Sequence, residues 1–509
     1  MTATAPARTV PTKSPSTAPH SPLTRILRSR ATLPVGLGVL GFLVSFIGSW
    51  IPSYWGDEAA SIMSAERSLP SLFRMLGHVD AVHGSYYVFL HFWIGAFGAS
   101  EISTRLPSAI AAGLIVVGTY FIGRRLASPS FAVVAAVVCA VLPRIDYLGA
   151  ETRSYAFSTA IAVWMTVLLL ELLRRRTASR KLWLAYALGM SVGLYVFLYL
   201  GLLLVVHGAY VFTSRRFAPL RRRWVQAAVL TVILSLPIVW YGYQERGQIA
   251  FLAKREYLSV VNVLVFQWFG NGYLATAAWA LVLVAVVAAV ITWRRWHERS
   301  ELVILAVLWT VIPTLGMILL NIATPTYNMR YVSFSAPALA LLVVAGAFRL
   351  RMRWAKVAAV GVVVALSIPT DVGQREPYAF DDGSDLAQSA AIIGAEAHPG
   401  DGVIFDRTTL PSQRPRLALH LYPSDFTGLT DITLKTSYLK RDLLWDTTWP
   451  LDEVPQRLNG ITTVWLLEER GSKDYTEGTD VRTLQQLGYT IQSTQTVNRT
   501  IIYKFTEGS

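Results

Sequence analysis

Charge is what this sequence has least of. Of 509 residues only 15% are Asp, Glu, Lys or Arg, 53% are hydrophobic, and the mean hydropathy is +0.42. An ordinary soluble domain carries about a quarter charged residues, so the balance excludes a cytosolic enzyme. Cysteine is nearly absent as well: the one residue, Cys139, lies in an apolar run, which excludes a disulfide framework and a Cys-based metal site. Residues 1–24 are rich in Thr, Pro, Ser and Ala and lack the apolar core of a cleaved signal peptide. Residues 1–30 therefore read as a disordered cytoplasmic tail.

What charge there is has a strong pattern. Lys and Arg number 46 against 32 Asp and Glu, an excess that raises the possibility of a nucleic-acid partner. The distribution removes that case. Residues 1–370 hold 33 bases and 12 acids, whereas residues 371–509 hold 13 bases and 20 acids. In the first part the bases fall in short clusters between long apolar runs, such as Arg124-Arg125, Arg174 to Lys181, Arg215 to Arg223, Arg294 to Arg299 and Arg349 to Lys356. This is the positive-inside pattern of a multi-span membrane protein.

Those clusters set a topology. The expected fold class is an α-helical polytopic membrane protein of about eleven spans, residues 31–370, followed by an extracytoplasmic α/β domain, residues 371–509. The spans are placed at about 32–52, 106–123, 130–142, 156–173, a hairpin over 182–213 turning near Tyr195 to Tyr199, and then 225–243, 273–292, 302–320, 332–348 and 357–369. The run Ser85 to Gly98 is 14 residues long, too short to cross, because a span needs roughly 17–25. It reads as an interfacial or re-entrant helix inside one large outer loop, 53–105. An odd number of spans from an inside N-terminus leaves the C-terminus outside. The tail shows a helix pattern at Asp385 to Ala397, a short strand VIFD, a buried strand TTVWLLEE, a helix TDVRTLQQLG and a strand pair about Asn498-Arg499. It has no phosphate-loop glycines, no HExxH and no GxSxG, and no chemistry of its own is expected there.

With this topology the scarce acids become informative. Glu171, Glu298 and Glu301 fall at inner ends; Asp57, Glu58, Glu66, Asp80, Glu101, Asp146, Glu151, Glu245 and Glu256 fall on the outer side. Carboxylates at a bilayer edge are costly unless paired or solvated, so a convergent set marks a site. Asp57-Glu58 directly follows the first span, and a shielded carboxylate there would have the raised basicity needed to take a proton from a hydroxyl; the alternative is an acid pair bound to Arg67 or Arg74. Glu151-Thr152-Arg153 offers a second carboxylate and a cation, or simply a local ion pair at the start of a span. Asp80 and His83 precede Tyr86-Tyr87. Arg330-Tyr331 stands at the mouth of a late span, where an Arg needs an anion such as a lipid phosphate. Lys254 and Arg255 add positive potential or anchor a loop.

The runs WGDEAAS, DAVHGSYYVFLHFW, GASEISTRLPSA, GRRLAS, LPRIDYLGAETRSYA and MRYVSFSAPALALL, in that order, resemble the polytopic glycosyltransferases of the GT-C fold. The similarity covers most of residues 30–350. It is closest to bacterial relatives of the protein O-mannosyltransferases, including the lipid A aminoarabinose and galacturonic acid transferases.

The resemblance implies inverting transfer of one sugar from a polyprenyl-phosphate donor to a hydroxyl of a cell-envelope glycan, glycolipid or protein, on the outer face of the plasma membrane. Asp57 matches the general base of the first loop, and Glu58 would support it. Glu151 and Arg153 match the acid-x-Arg of the second loop. Arg330, with Arg153, Lys254 and Arg255, would hold the donor phosphate, while Asp80, His83, Tyr86, Tyr87 and Tyr331 would bind substrate. Where relatives carry His-Pro-Pro this chain has His83-Gly84-Ser85, so no helix-start role is carried over. Asp57, Asp80, Glu151 and His83 could ligate a divalent ion, although an obligatory metal is not expected. With a lipid-linked donor, the Ala, Val and Arg richness of the chain suits an actinobacterial envelope, in which mannose or arabinose would be the sugar. Two other classes compete: a lipid or glycan transporter, which would show internal repeats and midplane breaks, and a scaffold, in which Asp57 would be dispensable.

Overall fold

In the computed structural model, the residues described are 32–175, 179–254, 257–292, 301–380 and 383–508. The tail expected at 1–30 lies outside them, as do Arg255, Glu256 and Glu298.

Fifteen α-helices among the described residues precede the sheet region: α1 (Thr32–Phe46), α2 (Gly56–Ala65), α3 (Leu69–Leu76), α4 (Gly84–Phe97), α5 (Glu101–Leu126), α6 (Pro129–Ala140), α7 (Pro143–Gly149), α8 (Tyr155–Arg174), α9 (Arg180–Val196), α10 (Gly201–Thr213), α11 (Ala218–Gln244), α12 (Gly272–Thr292), α13 (Glu301–Ala323), α14 (Ala336–Ala347) and α15 (Arg353–Gly373). Each segment expected to span contains a helix, although the one placed at 32–52 is helical only to Phe46. Seven stretches are long and apolar enough to cross a membrane by themselves: α5, α8, α12, α13, α15, and α11 and α14 each with its preceding turn. The pair α6–α7 passes only as a unit bent by 60°. Pro143 opens its second half, and a proline that cannot donate to the preceding turn is a sufficient cause of the break. Helices α1, α9 and α10 have 15, 17 and 13 residues. At 1.5 Å per residue α1 reaches only about 22 Å, short of a hydrocarbon core of about 30 Å. The architecture is that of a multi-pass membrane protein.

The large loop after α1 folds into α2, α3 and α4, and the short run Ser85 to Gly98 is indeed a separate helix that turns Phe92 and Phe97 outward. The chain after α15 forms α16 (Leu386–Glu396), β1 (Gly402–Phe405), α17 (Leu417–Leu421), β2 (Thr430–Asp431), β3 (Leu434–Thr436), β4 (Thr447–Thr448), β5 (Thr463–Glu469), α18 (Lys473–Glu477), α19 (Thr479–Gln486), β6 (Tyr489–Thr496) and β7 (Thr500–Glu507). The main sheet runs β2-β1-β5-β7-β6, with β1 parallel to β2 and β5, and β5, β7 and β6 antiparallel. Alternation along β5 divides its side chains between two cores. Val464 and Leu466 pack with Leu484 of α19, while Trp465 and Leu467 join Tyr54, Ile62, Met63, Leu72 and Tyr87 of the first loop. The sheet and helices α2–α4 thus share one apolar core.

Candidate active site

The site is built from the first turn of α2. Trp55 caps that helix in an extended conformation, and Asp57 and Glu58 occupy its first turn, where the helix dipole favours carboxylates. Gly56 is required by close approach: a Cβ there would overlap the carbonyl of Ser412. One turn position then separates two fates. Asp57 faces a cavity of about 460 Å³, and its carboxylate pairs with the Arg330 guanidinium, Oδ2 to Nη1 3.2 Å. Glu58 points inward and is fully buried against Arg105, whose Nε and Nη2 donate to its two oxygens at 2.8 and 2.5 Å. The Thr152 amide donates to the same carboxylate at 2.7 Å. Glu58 is not among the cavity-lining residues, so it does not stand where a partner of the base was expected.

Arg330 enters from the turn Met329–Ser335 before α14, whose start is held by the Asn328 side chain accepting from the Arg330 amide at 3.0 Å. The guanidinium lies 4.5 Å from the Trp55 ring, and its Nη1 makes no hydrogen bond of good geometry beside the ion pair. Arg153, from the bend before α8, donates to the Asp57 carbonyl and to Ser61 Oγ, both at 3.1 Å, and lies 3.3 Å from His83 Nε2. Because a guanidinium only donates, that histidine nitrogen accepts, and His83 is neutral with its proton on Nδ1. Burial, with Arg153 beside it, pushes the imidazole down to about 4. Asp80 sits in the left-handed region, φ 59°, and accepts from Tyr87 Oη at 2.8 Å.

The electrostatics differ from the sequence expectation. Burial by itself would raise the Asp57 carboxyl, but the Arg153 and Arg330 guanidinium groups hold it below the usual carboxylate range. The raised basicity expected of Asp57 is therefore absent, because two guanidinium groups outweigh desolvation. Other acids are raised instead, among them Glu245, which lines the cavity and is pushed up to about 7 by burial, and Glu151. Buried and with Oε2 unpartnered, it is pushed up to about 8 by burial, against the pull of Arg330. It does not line the cavity. Glu151→Gln is accordingly expected to keep turnover at pH 7 within about threefold, because the amide replaces an acid that is already neutral. The sign of the linkage runs the other way from a salt-bridged acid: burying Glu151 costs stability progressively between about pH 4.5 and about pH 8. The variant's melting temperature should exceed that of the parent most clearly above pH 8, measured by thermal unfolding.

Six of the expected residues, Asp57, Asp80, His83, Arg153, Arg330 and Tyr331, line this cavity together. Tyr86 and Tyr87 are buried behind it. Lys254 ends the turn Arg246–Lys254, and Arg255 lies outside the described residues. Among the described residues no group of three or more His, Cys, Asp or Glu side chains is placed to hold a metal ion.

Residues 86–241 match the family described as dolichyl-phosphate-mannose-protein mannosyltransferase. No curated protein matches the chain in sequence. ArnT from Cupriavidus metallidurans in the apo state superposes with a TM-score of 0.54 at 13% identity, over 94% of this chain and 98% of that one. ArnT from the same organism bound to undecaprenyl phosphate gives 0.52 with the same identity and coverage. The chain has the GT-C fold.

In this GT-C fold four distant stretches meet at the cavity: the start of α2, the Asp80–His83 turn, the bend at Arg153 and the turn at Arg330. Sequence reasoning missed the other walls. Glu245 and Gln248 follow α11, Tyr199 lies between α9 and α10, and Ser412, Leu444 and Trp445 come from the C-terminal α/β unit. Glu245 was visible as one of the few acids at a helix end, but nothing local tied it to Asp80. The C-terminal residues carried no signal, since the contact that brings them in spans more than 350 positions. A second cavity of about 430 Å³ shares Trp55, Tyr257, Asn328 and Arg330 with the first and is otherwise lined by residues such as Arg144, Tyr147 and Trp268.

Proposed function

We propose that this protein is a glycosyltransferase that moves a sugar from a polyprenyl-phosphate carrier to a hydroxyl acceptor on the outer face of the plasma membrane. The observation that carries the proposal is the Asp57–Arg330 pair on the wall of a large cavity in a GT-C fold. ArnT, which has that fold, binds undecaprenyl phosphate, and this chain would take a carrier of the same chemistry. The N-terminus then lies in the cytoplasm and the C-terminal unit outside, as the Arg clusters demand. Mannose and arabinose are the sugars proposed, and a glycan, glycolipid or protein hydroxyl is the acceptor class.

The division of labour follows from charge. The acceptor O–H gives its proton to Asp57 while its oxygen forms a bond to the anomeric carbon. The bond from that carbon to the phosphate oxygen breaks, its electron pair stays on the phosphate, and configuration inverts. A phosphate leaving group is already an anion and needs cations rather than a general acid. Arg330 supplies one, with Arg153 behind it. When the phosphate arrives, Arg330 divides its charge between two anions, and the carboxylate recovers the basicity that its pairing with Arg330 suppresses. Arg330→Ala is expected to weaken undecaprenyl-phosphate binding roughly 10- to 100-fold, the scale of a charge-assisted contact, as read by native mass spectrometry or a competition assay. Unchanged affinity would remove Arg330 from the phosphate site.

A further inference from the structure

We propose that the cavity wall contributed by the C-terminal α/β unit is the acceptor subsite and that it takes a carbohydrate, one sugar ring lying on Trp445 and its hydroxyls meeting Glu245, Gln248 and Asp80. The proposal rests on the transferase reading above and names the acceptor chemistry that reading leaves open.

The first support is a strap, residues 441–445, which carries Leu444 and Trp445 to the cavity. It is pinned by the large loop of the membrane part rather than by its own sheet. Arg67, just beyond α2 and fully buried, donates to the carbonyls of Arg441 and Leu443 at 2.8 and 2.6 Å. Its guanidinium lies 5.2 Å from the Tyr438 ring. Arg441 in turn donates to the Trp445 carbonyl at 2.8 Å. A half-buried indole thus sits at the cavity edge on a strap held by a buried cation two residues beyond the helix that carries Asp57.

The second support is the polar ledge. Glu245 accepts from the Ala81 amide through Oε2 at 2.9 Å, while Oε1 is buried without a partner. Gln248 accepts from the Asp80 amide at 3.2 Å. Asp80, locked in its left-handed conformation, adds a second carboxylate. Two carboxylates and an amide present mostly acceptor oxygens, which complement the hydroxyl donors of a sugar. A peptide offers donors and acceptors in equal number and would leave its carbonyls unmet. An aromatic ring and planar polar groups lining one cavity match the two surfaces of a pyranose or furanose ring, one of C–H groups and one edge of hydroxyls.

The test uses the full chain in nanodiscs and saturation-transfer NMR with mannotriose, arabinotriose and a Ser/Thr-rich peptide as probes. Saturation transfer to the protons of at least one trisaccharide is expected, with affinity roughly tenfold weaker in Trp445→Ala and largely kept in Trp445→Phe. Absence of binding to both trisaccharides, equal binding by Trp445→Ala, or Trp445-dependent binding of the peptide alone would each overturn the proposal. Undecaprenyl-phosphate binding, measured on the same samples, reports on the donor reading separately. Its failure with trisaccharide binding intact would sink the transferase reading and leave the sugar subsite standing.

Discussion

Asp57→Asn is expected to leave a folded protein that still binds polyprenyl-phosphate sugar and transfers almost none of it, a loss of about 10²–10⁴ in kcat, the range for a general base. Asn keeps the shape of the side chain and a carbonyl for Arg330, but the amide cannot take a proton. Because Arg153 and Arg330 hold the carboxyl below the usual range, the base is ionised in the free enzyme well into acid pH. Its contribution to stability has the matching sign: it is present above the unfolded-state value and lost as pH falls through the lower folded one. Binding a donor phosphate against Arg330 reverses part of the suppression. The acid limb of kcat, which reports the complex, should therefore lie at higher pH than that of kcat/KM, which reports the free enzyme. Measured pH–rate profiles with undecaprenyl-phosphate mannose and arabinose check this. Normal turnover by Asp57→Asn would falsify the assignment of the base.

The largest loss of stability is expected from breaking the Glu58–Arg105 pair. Both side chains are fully buried. Arg105 also donates to the carbonyls of Ser49, Pro52 and Ser53 and lies over the rings of Tyr54 and Phe380 at 5.0 and 5.2 Å. One guanidinium therefore ties the exit of α1, the first turn of α2, helix α5 and the link to the C-terminal unit. Removing either partner leaves a charge in the interior, which costs about 3–5 kcal/mol. Replacing both with methionine should cost less than either single alanine change, because no unpaired charge remains. Thermal unfolding in detergent orders the variants. If Glu58→Gln melted like the parent but lost turnover, the residue would belong to the chemistry and not to the scaffold.

The two acids side by side show how far sequence reading reaches. Asp57-Glu58 stood out because acids are scarce and because the pair follows a span, yet only α-helical geometry decides which of two neighbours points where. Successive positions on a helix are about 100° apart, so one carboxylate lines the cavity and the other is sealed against Arg105. The alternative partners weighed for the pair, Arg67 and Arg74, are occupied elsewhere: Arg67 pins the 441–445 strap and Arg74 pairs with Asp442 at 3.4 Å. Arg105 was hidden, since nothing in GASEISTRLPSA marks its bonds to residues about fifty positions earlier. The basicity of Asp57 was misjudged for a related reason. Desolvation is legible from a position at a bilayer edge, but the two guanidinium groups that overcome it come from residues 153 and 330.

By itself the sequence determined a multi-pass helical membrane protein with an α/β region at its C-terminal end, and the small group of acids and arginines within which a site had to lie. These are written in local terms: apolar length, period, and charge between runs. Tertiary structure decided which of those acids is ionised, which is neutral and which is structural, and it brought Trp445 and Ser412 of the C-terminal unit to the cavity. Electrostatic environment and shape depend on groups brought within a few ångströms across hundreds of residues. No window of the chain records those distances.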